Sequence, residues 1–313
     1  MIVLGYSGFT RDLKRGGRVS PFAQTGLGPG ILFDFHEGEV PLPMFPLGFF
    51  GHDASACLLI DGEVVACAAE ERFIRCKHAL NLAGNTLLPR RATAWCLEHA
   101  GIAASDVDSV SFYCDFQAED LAERNRLLAP HVPVSTLGRV RAVWEEAFAG
   151  MVGPEAVADQ CRDLLGQEPP VLIPVRHHLA HAASAFYPSG FAESLILTID
   201  GSGETESSML AIGGPEGITE LDRVPLPTSL GTLYLALTVY LGFRGLGDEF
   251  KVMGLAAYGD PGRYRRLFDQ LVHLDDAGRY DTYGLIDPDL RERLSTAIGP
   301  PRKPDQAVTA AHA

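Results

Sequence analysis

Two histidines four residues apart are the strongest chemical signal in this 313-residue sequence. His177 and His181 follow an apolar stretch at residues 171–175 that is typical of a strand. Residues four apart on a helix share one face, so both imidazoles can point at one ion. The chain has ten histidines, however, and a chance pair with this spacing on an ordinary surface helix is the competing interpretation.

A carboxylate at the end of the next apolar stretch strengthens the metal interpretation. Residues 195–199 are typical of a second strand, and Asp200 follows them directly. Two imidazoles and a carboxylate suit a first-row divalent metal with positions left open for chemistry, so we predict His177, His181 and Asp200 as ligands. The glycines after Asp200 allow the backbone to approach a phosphate closely. We therefore assign the turn to nucleotide binding, through Gly201, Ser202, Gly203 and Glu204.

Composition excludes several classes of function. With 40 acidic against 26 basic residues, the net charge is −14, which argues against a nucleic-acid or anionic membrane surface. No basic segment and no long apolar run follow Met1, so neither a signal peptide nor a spanning helix is predicted. The six cysteines form no CxxC pair, which favours buried, reduced thiols in a cytoplasmic protein.

The elements that position these residues follow a repeated pattern. Residues 51–73 predict a hairpin, with strands at 54–60 and 63–69 joined by an Asp-Gly turn. Residues 195–221 again predict strand, polar turn and strand, so we interpret the two segments as corresponding starts of two duplicated halves. Further strands are predicted at 2–6 and 107–114, helices at 89–100, 121–128, 137–150, 154–165, 229–241, 250–258 and 264–273, and irregular structure after them.

Three sequence stretches carry a resemblance to a known family. HHLAHAASAFYPSGF, LTIDGSGE and GDEFKVMGLAAYGDP occur in this order and resemble the antibiotic and nodulation O-carbamoyltransferases. That family shares an actin-like domain with the tRNA threonylcarbamoyl transferases, and the resemblance covers most of residues 1–6 and 48–261. It implies an α/β, duplicated β-β-β-α fold of the acetate kinase, sugar kinase and heat-shock ATPase type. The expected first half is residues 1–191, with an insertion at 7–47, and the expected second half is residues 192–313, which would be incomplete. The family's C-terminal carbamoyl-adenylate-forming domain is expected to lie outside this chain. The chain would then be a natural N-terminal part or a truncated form.

The resemblance also implies an activity. The expected enzyme is an ATP-dependent carbamoyltransferase that uses carbamoyl-adenylate, derived from carbamoyl phosphate, to modify a hydroxyl of a natural product such as a sugar or polyketide antibiotic. Iron is the expected metal, although the ligand set alone does not exclude another divalent ion. A homodimer that binds neither nucleic acid nor membrane is expected. The alternatives are another kinase of the actin-like fold, a threonylcarbamoyl-type transferase, or a fragment that binds nucleotide without turnover.

Polar residues at both ends of the first hairpin supply the remaining catalytic candidates. His52 is the candidate base for the acceptor hydroxyl, with Asp53 as its orienting partner or substitute. Lys77 and Arg72 are expected to neutralise charge that develops on the leaving adenylate. A solvated strand exit is the competing interpretation of these charges.

Two glycine-rich segments complete the prediction. The loop at 242–251 leads into a helix, and helix N-termini favour anions, so we assign Gly247, Asp248, Glu249 and Lys251 to the nucleotide. Residues 7–47 are rich in glycine and proline, with aromatic residues in their second part. They predict either a surface elaboration or, because they precede His52, a wall for a hydrophobic acceptor.

Overall fold

The described residues of the protein divide into two compact units. The computed structural model describes residues 1–8, 53–79, 88–131, 138, 141–142, 144–145, 148–169, 171–243, 247–282 and 290–313. The first unit draws its described residues from Met1–Pro29, Phe49–Glu123 and Arg141–Ser184, and the second from Arg124–Val140 and Ala185–Ala313. The boundary expected between 191 and 192 stays a prediction, and the insertion at 7–47 lies outside the described residues except for Ser7 and Gly8.

A five-stranded mixed sheet forms the centre of the first unit. Its strands are β1 (Ile2–Ser7), β2 (Ser55–Ile60), β3 (Glu63–Ala69), β4 (Ser109–Phe112) and β5 (Leu172–Pro174). The strand order is β3-β2-β1-β4-β5; β1 is antiparallel to β2 and parallel to β4. Asp61 and Gly62 both have positive φ, as the tight turn between β2 and β3 requires, which confirms the predicted hairpin. Leu4, Leu58 and Val110 of this sheet are fully buried.

The described α-helices up to residue 186 lie at the predicted places, except for the short helix at Glu71–Ile74, which the sequence did not predict. They are α1 (Glu71–Ile74), α2 (Arg90–Ala100), α3 (Ala118–Leu128), α4 (Pro154–Leu165) and α5 (His177–Phe186). Proline at the first position of α4 and left-handed Gly166 after it mark the two ends of that helix. Of the helix predicted at 137–150, residues 138, 141–142 and 144–145 are described and are helical, and a π-helical turn occupies Phe148–Val152.

The second unit contains a three-stranded antiparallel sheet followed by helices. Its elements are β6 (Ser194–Ile199), β7 (Glu206–Gly214), β8 (Gly217–Pro225), α6 (Leu230–Tyr240), α7 (Glu249–Ala256), α8 (Arg265–Leu271), β9 (Val272–Leu274), β10 (Tyr280–Thr282) and α9 (Leu290–Ile298). The predicted serine cap of α6 is confirmed, because the Ser229 side chain accepts a hydrogen bond from Thr232 N–H. The expectation of irregular structure after residue 273 is wrong: β9 and β10 form a hairpin, and α9 follows.

Both units combine strands with helices, so the α/β class predicted from the sequence is confirmed. Each unit also contains three consecutive antiparallel strands, β1-β2-β3 in the first and β6-β7-β8 in the second. Within the part of the chain that is described, every helix is too short or too polar to cross a bilayer.

Candidate active site

The two predicted imidazole ligands lie side by side at the start of α5. Nε2 of His181 is 3.1 Å from Nε2 of His177, and the ring centroids are 4.5 Å apart. Two imidazole nitrogens that bind one ion through bonds of about 2.0–2.1 Å lie about 2.9–3.4 Å apart at octahedral to tetrahedral angles. The observed separation fits that requirement. His178, by contrast, is 1% exposed and therefore points into the protein.

Contacts within the first unit fix the start of this helix. β5 lies parallel to β4, and Val175 N–H donates to the carbonyl of Phe112 just beyond the last paired residues. Arg176, immediately before α5, forms an ion pair with Asp120 of α3 at 3.3 Å. The Tyr113 ring lies 5.5 Å from the ring of His177. The imidazoles therefore extend from a helix start that is held by main-chain and side-chain contacts together.

Asp200 lies in the second unit, in the turn between β6 and β7. Its carboxylate accepts a hydrogen bond from Gly201 N–H at 2.6 Å, and its own N–H donates to Ser207 O at 2.9 Å. Ser229 Oγ, which caps α6, also donates to Gly201 O at 2.8 Å. A Cβ on Gly231 would lie 2.4 Å from the carbonyl carbon of Asp200, so only glycine permits this approach of α6. The turn is consequently rigid on the side that faces α6.

A buried arginine holds the other side of the same turn. Arg124 of α3 is 0% exposed and donates from Nη1 to the carbonyls of Gly203 and Glu204, each at 2.8 Å. Its Nη2 donates to Ser202 Oγ at 3.2 Å. Three of the four residues assigned to nucleotide binding in this turn are therefore fixed by one guanidinium, and Glu204 itself is fully buried.

The second nucleotide segment lies at the start of α7. The Glu249 carboxylate accepts a hydrogen bond from Gly247 N–H at 2.7 Å, and Lys251 Nζ lies 2.8 Å from Asp248 Oδ1. Burial, followed by the nearby Glu249 carboxylate, raises the pKa of Tyr234, whose hydroxyl donates to Glu249 O at 3.5 Å. The four assigned residues thus form a local network, and their contact with a nucleotide stays a prediction.

Three of the four catalytic candidates are brought together in the first unit. Asp53 Oδ1 lies 3.0 Å from His78 Nδ1, and His78 N–H donates to Glu71 Oε2 at 3.0 Å. Lys77 Nζ lies 3.3 Å and Arg72 Nε 3.6 Å from Glu71 Oε1. The hydrogen bond from His78 N–H, assisted by Lys77, lowers the pKa of the Glu71 carboxyl. His52 lies outside the described residues.

Sequence reasoning missed two residues that organise these groups. Arg124 occupies the helix face that Leu121 and Leu128 share, and a basic residue on an apolar face was a signal that could have found it. The sequence analysis assigns no role to His78, whose side chain is only 28% exposed. Its partner Asp53 is 25 residues away, so no local pattern indicates the contact.

Comparison with known proteins places the chain in a family. Residues 46–285 match the family model described as the carbamoyltransferase N-terminus, so the chain belongs to that family. It is 39% identical over 257 residues to the nodulation protein NolNO of Sinorhizobium fredii (strain NBRC 101917 / NGR234), covering 81% of this chain and 34% of that protein. These matches confirm the resemblance found in the sequence motifs.

Two further relatives match parts of the chain. An uncharacterized protein of Synechocystis sp. is 35% identical over 236 residues, which cover 73% of this chain and 37% of that protein. The nodulation protein NolO of Bradyrhizobium diazoefficiens is 50% identical over 106 residues, 34% of this chain and 19% of that protein. The chain thus spans only about a third of the length of the curated relatives that it matches over most of its own length.

Proposed function

Because the chain belongs to the carbamoyltransferase family, we propose that it carries the transfer site of an ATP-dependent O-carbamoyltransferase. The donor would be carbamoyl-adenylate, derived from carbamoyl phosphate, and the acceptor a hydroxyl of a sugar or polyketide in natural-product tailoring. The observation that supports this proposal best is the imidazole pair of His177 and His181, whose 3.1 Å separation suits a shared metal ion in a chain of this family.

An actin-like fold is part of the same proposal. The two units each contain three consecutive antiparallel strands, and β4 and β5 extend the first sheet in parallel. A duplicated β-β-β-α fold would have such a set of three antiparallel strands at the start of each half. The support is the repeated strand pattern together with the family membership.

The proposed metal site uses His177, His181 and Asp200. Iron(II), or another divalent ion, would polarise the carbamoyl carbonyl or hold phosphate oxygens when bound. The imidazoles would serve as neutral ligands from the first turn of α5. The short hydrogen bond from Gly201 N–H would fix the orientation of the Asp200 carboxylate.

The chain's own residues would move the proton and neutralise the leaving group. In the transfer step the acceptor oxygen bonds to the carbamoyl carbon, the bond from that carbon to the adenylate oxygen breaks, and AMP leaves. His52, oriented or replaced by Asp53, would take the hydroxyl proton. Lys77 and Arg72 would balance the charge that develops on AMP, and their placement around Glu71 supports a shared role.

Nucleotide and acceptor contacts complete the proposal. The turn at 201–204 and the network at 247–251 would contact the phosphates and ribose, because their glycines allow the main chain to approach a phosphate closely. The insertion at 7–47 would form the acceptor side of the site. The protein would act as a homodimer in the cytoplasm.

The proposal is tested by following AMP release in the intact protein that contains this chain. Incubation with carbamoyl phosphate and ATP should release AMP, faster when hydroxylated acceptors from a natural-product panel are added, and mass spectrometry should detect a product heavier by one carbamoyl group. Omission of carbamoyl phosphate is the matched control. ATP consumption that does not depend on carbamoyl phosphate, with no carbamoylated product, would refute the proposal.

A further inference from the structure

His78 is tied to its surroundings at three separate atoms. Its Nδ1 lies 3.0 Å from Asp53 Oδ1, and its carbonyl accepts a hydrogen bond from Asp53 N–H at 2.8 Å. Its own N–H donates to Glu71 Oε2 at 3.0 Å. One residue therefore connects the entrance of β2 to the segment that follows β3, across 25 positions of sequence.

The backbone at this connection adopts a conformation that non-glycine residues rarely take. Asp53 has φ 57°, His78 has φ 59° and Ala79 has φ 50°. Left-handed non-glycine residues cost free energy, and they persist where the surrounding structure determines them strongly. Here the carbonyl of His78 accepts a hydrogen bond from Asp53 N–H, and its N–H donates to the Glu71 carboxylate. These two bonds stabilise the left-handed backbone.

The cluster favours a hydrogen-bonded network over a second metal site. Ligand atoms of Asp53, Glu71 and His78 do lie within 4.8 Å of one another. The Glu71 carboxylate, however, already lies 3.3 Å from the Lys77 ammonium and 3.6 Å from the Arg72 guanidinium. A divalent cation added beside these two charges would be repelled, so Glu71 is better suited to holding Lys77 in place.

We propose that His78 is a positioning residue for the carbamoyl-transfer step. With Nδ1–H donated to Asp53, its side chain orients the carboxylate that assists the base. Through its main-chain bond to Glu71, it also fixes the carboxylate that holds Lys77. The group that assists proton removal and the group that stabilises the leaving AMP are thereby set relative to each other. This inference rests on the proposed function.

Two substitutions at one position separate positioning from proton transfer. In His78→Asn the amide nitrogen occupies the place of Nδ1, and asparagine tolerates positive φ, but the side chain cannot act as a base. In His78→Gly the backbone conformation is equally accessible, and the bond to Asp53 is lost. Positioning therefore predicts that asparagine rescues what glycine loses.

The assay uses the intact protein, with water in place of an acceptor hydroxyl. Pyrophosphate release from carbamoyl phosphate and ATP reports formation of the adenylate, and AMP release reports its discharge. His78→Gly should slow AMP release on the order of 100-fold, since small misplacements of reacting groups cost about that much. Pyrophosphate formation in the first turnover should not change, and His78→Asn should restore most of the AMP rate.

A second pair of variants, Asp53→Gly and the double variant, tests whether His78 acts through Asp53. Asp53→Gly preserves the left-handed backbone and removes the carboxylate, so its effect and that of His78→Gly should not be additive in the double variant. Equal slowing by His78→Asn and His78→Gly would overturn the inference, and so would full additivity with Asp53→Gly. A wild-type protein that releases no AMP would instead refute the proposed function, so the two failures are distinguishable.

Discussion

Each imidazole of the α5 pair has a separate consequence for metal binding. His177→Ala or His181→Ala should each remove one ligand, and metal content measured by elemental analysis after reconstitution with iron(II) should fall by at least half. His178, about 100° further around the helix than His177, is buried and should not contribute a ligand.

His178→Asn is the matched control for this prediction. We expect it to lower the midpoint of thermal unfolding, because the replaced ring is 1% exposed, while metal content stays near that of the wild type. Unchanged metal in both the His177 and the His181 variants would contradict the assignment.

Burial should separate the cysteines by reactivity. Desolvation raises the pKa of Cys57 to about 12 and those of Cys96 and Cys161 to about 11. Since the thiolate is the nucleophile, these three should remain almost unlabelled by iodoacetamide at pH 8, whereas exposed Cys67 reacts. Peptide mass spectrometry after timed labelling measures this order. Labelling in urea is the control, and rapid modification of Cys57 in the folded chain would contradict it.

At the scale of elements, one buried acid joins two parts of the first unit. Glu70 follows β3, is 3% exposed, and accepts hydrogen bonds from Arg91 N–H at 3.2 Å and Ala92 N–H at 2.7 Å. It therefore satisfies two of the free N–H groups at the start of α2, where a negative charge also suits the helix dipole.

We expect Glu70→Ala to reduce the free energy of unfolding by about 1–3 kcal/mol, because it leaves these two donors without a partner. Glu70→Gln retains one acceptor oxygen and should cost less. Urea denaturation followed by circular dichroism measures both. Glu63→Ala, at an exposed position of β3, is the control and should change little. If Glu70→Ala lowers the free energy of unfolding no more than the control does, the Glu70 cap contributes nothing to stability.

Local sequence patterns were sufficient for most elements near the site. The apolar runs of β2 and β3, the Asp-Gly turn and the proline-to-glycine span of α4 each indicate structure within a few residues, and the observed bounds agree. The hairpin of β9 and β10 could not be found in this way. Its strands have three residues each and are partly polar, and Tyr280 and Asp281 find their partners in Ser208 and Thr228, more than 50 positions away.

The candidate site likewise has some features that local spacing indicates and others that depend on long-range packing. The spacing of His177 and His181 indicates a shared helix face, because the helical period alone determines it. The bond between Asp53 and His78, and the grip of Arg124 on the 202–204 turn, depend on how separate segments pack. The position of Arg124 on an apolar helix face indicates that it is buried, but the groups that Arg124 and His78 contact depend on packing that one sequence does not show. Local spacing therefore predicts candidate ligands, and it does not predict the contacts that hold them in place.

At the scale of the whole molecule, net charge discriminates between members of the wider family. Carbamoyl transfer to a small hydroxyl compound needs only a local cationic patch such as Lys77 and Arg72 around Glu71. A transferase that acts on tRNA must also neutralise many phosphates along an extended surface. The chain has 14 more acidic than basic residues, which opposes that requirement.

We therefore expect the protein to bind AMP but not tRNA at physiological ionic strength. Fluorescence anisotropy with labelled bulk tRNA should show no saturable change, whereas calorimetry with AMP should show binding that weakens in Lys77→Ala, because that ammonium would no longer face the phosphate. Repeating the tRNA titration at lower salt is the control, since weak non-specific contact strengthens steeply as salt is removed. Saturable tRNA binding at physiological salt, with a strong salt dependence, would contradict the small-molecule assignment. It would favour a threonylcarbamoyl-type transferase, because only an extended cationic surface could overcome the chain's overall negative charge.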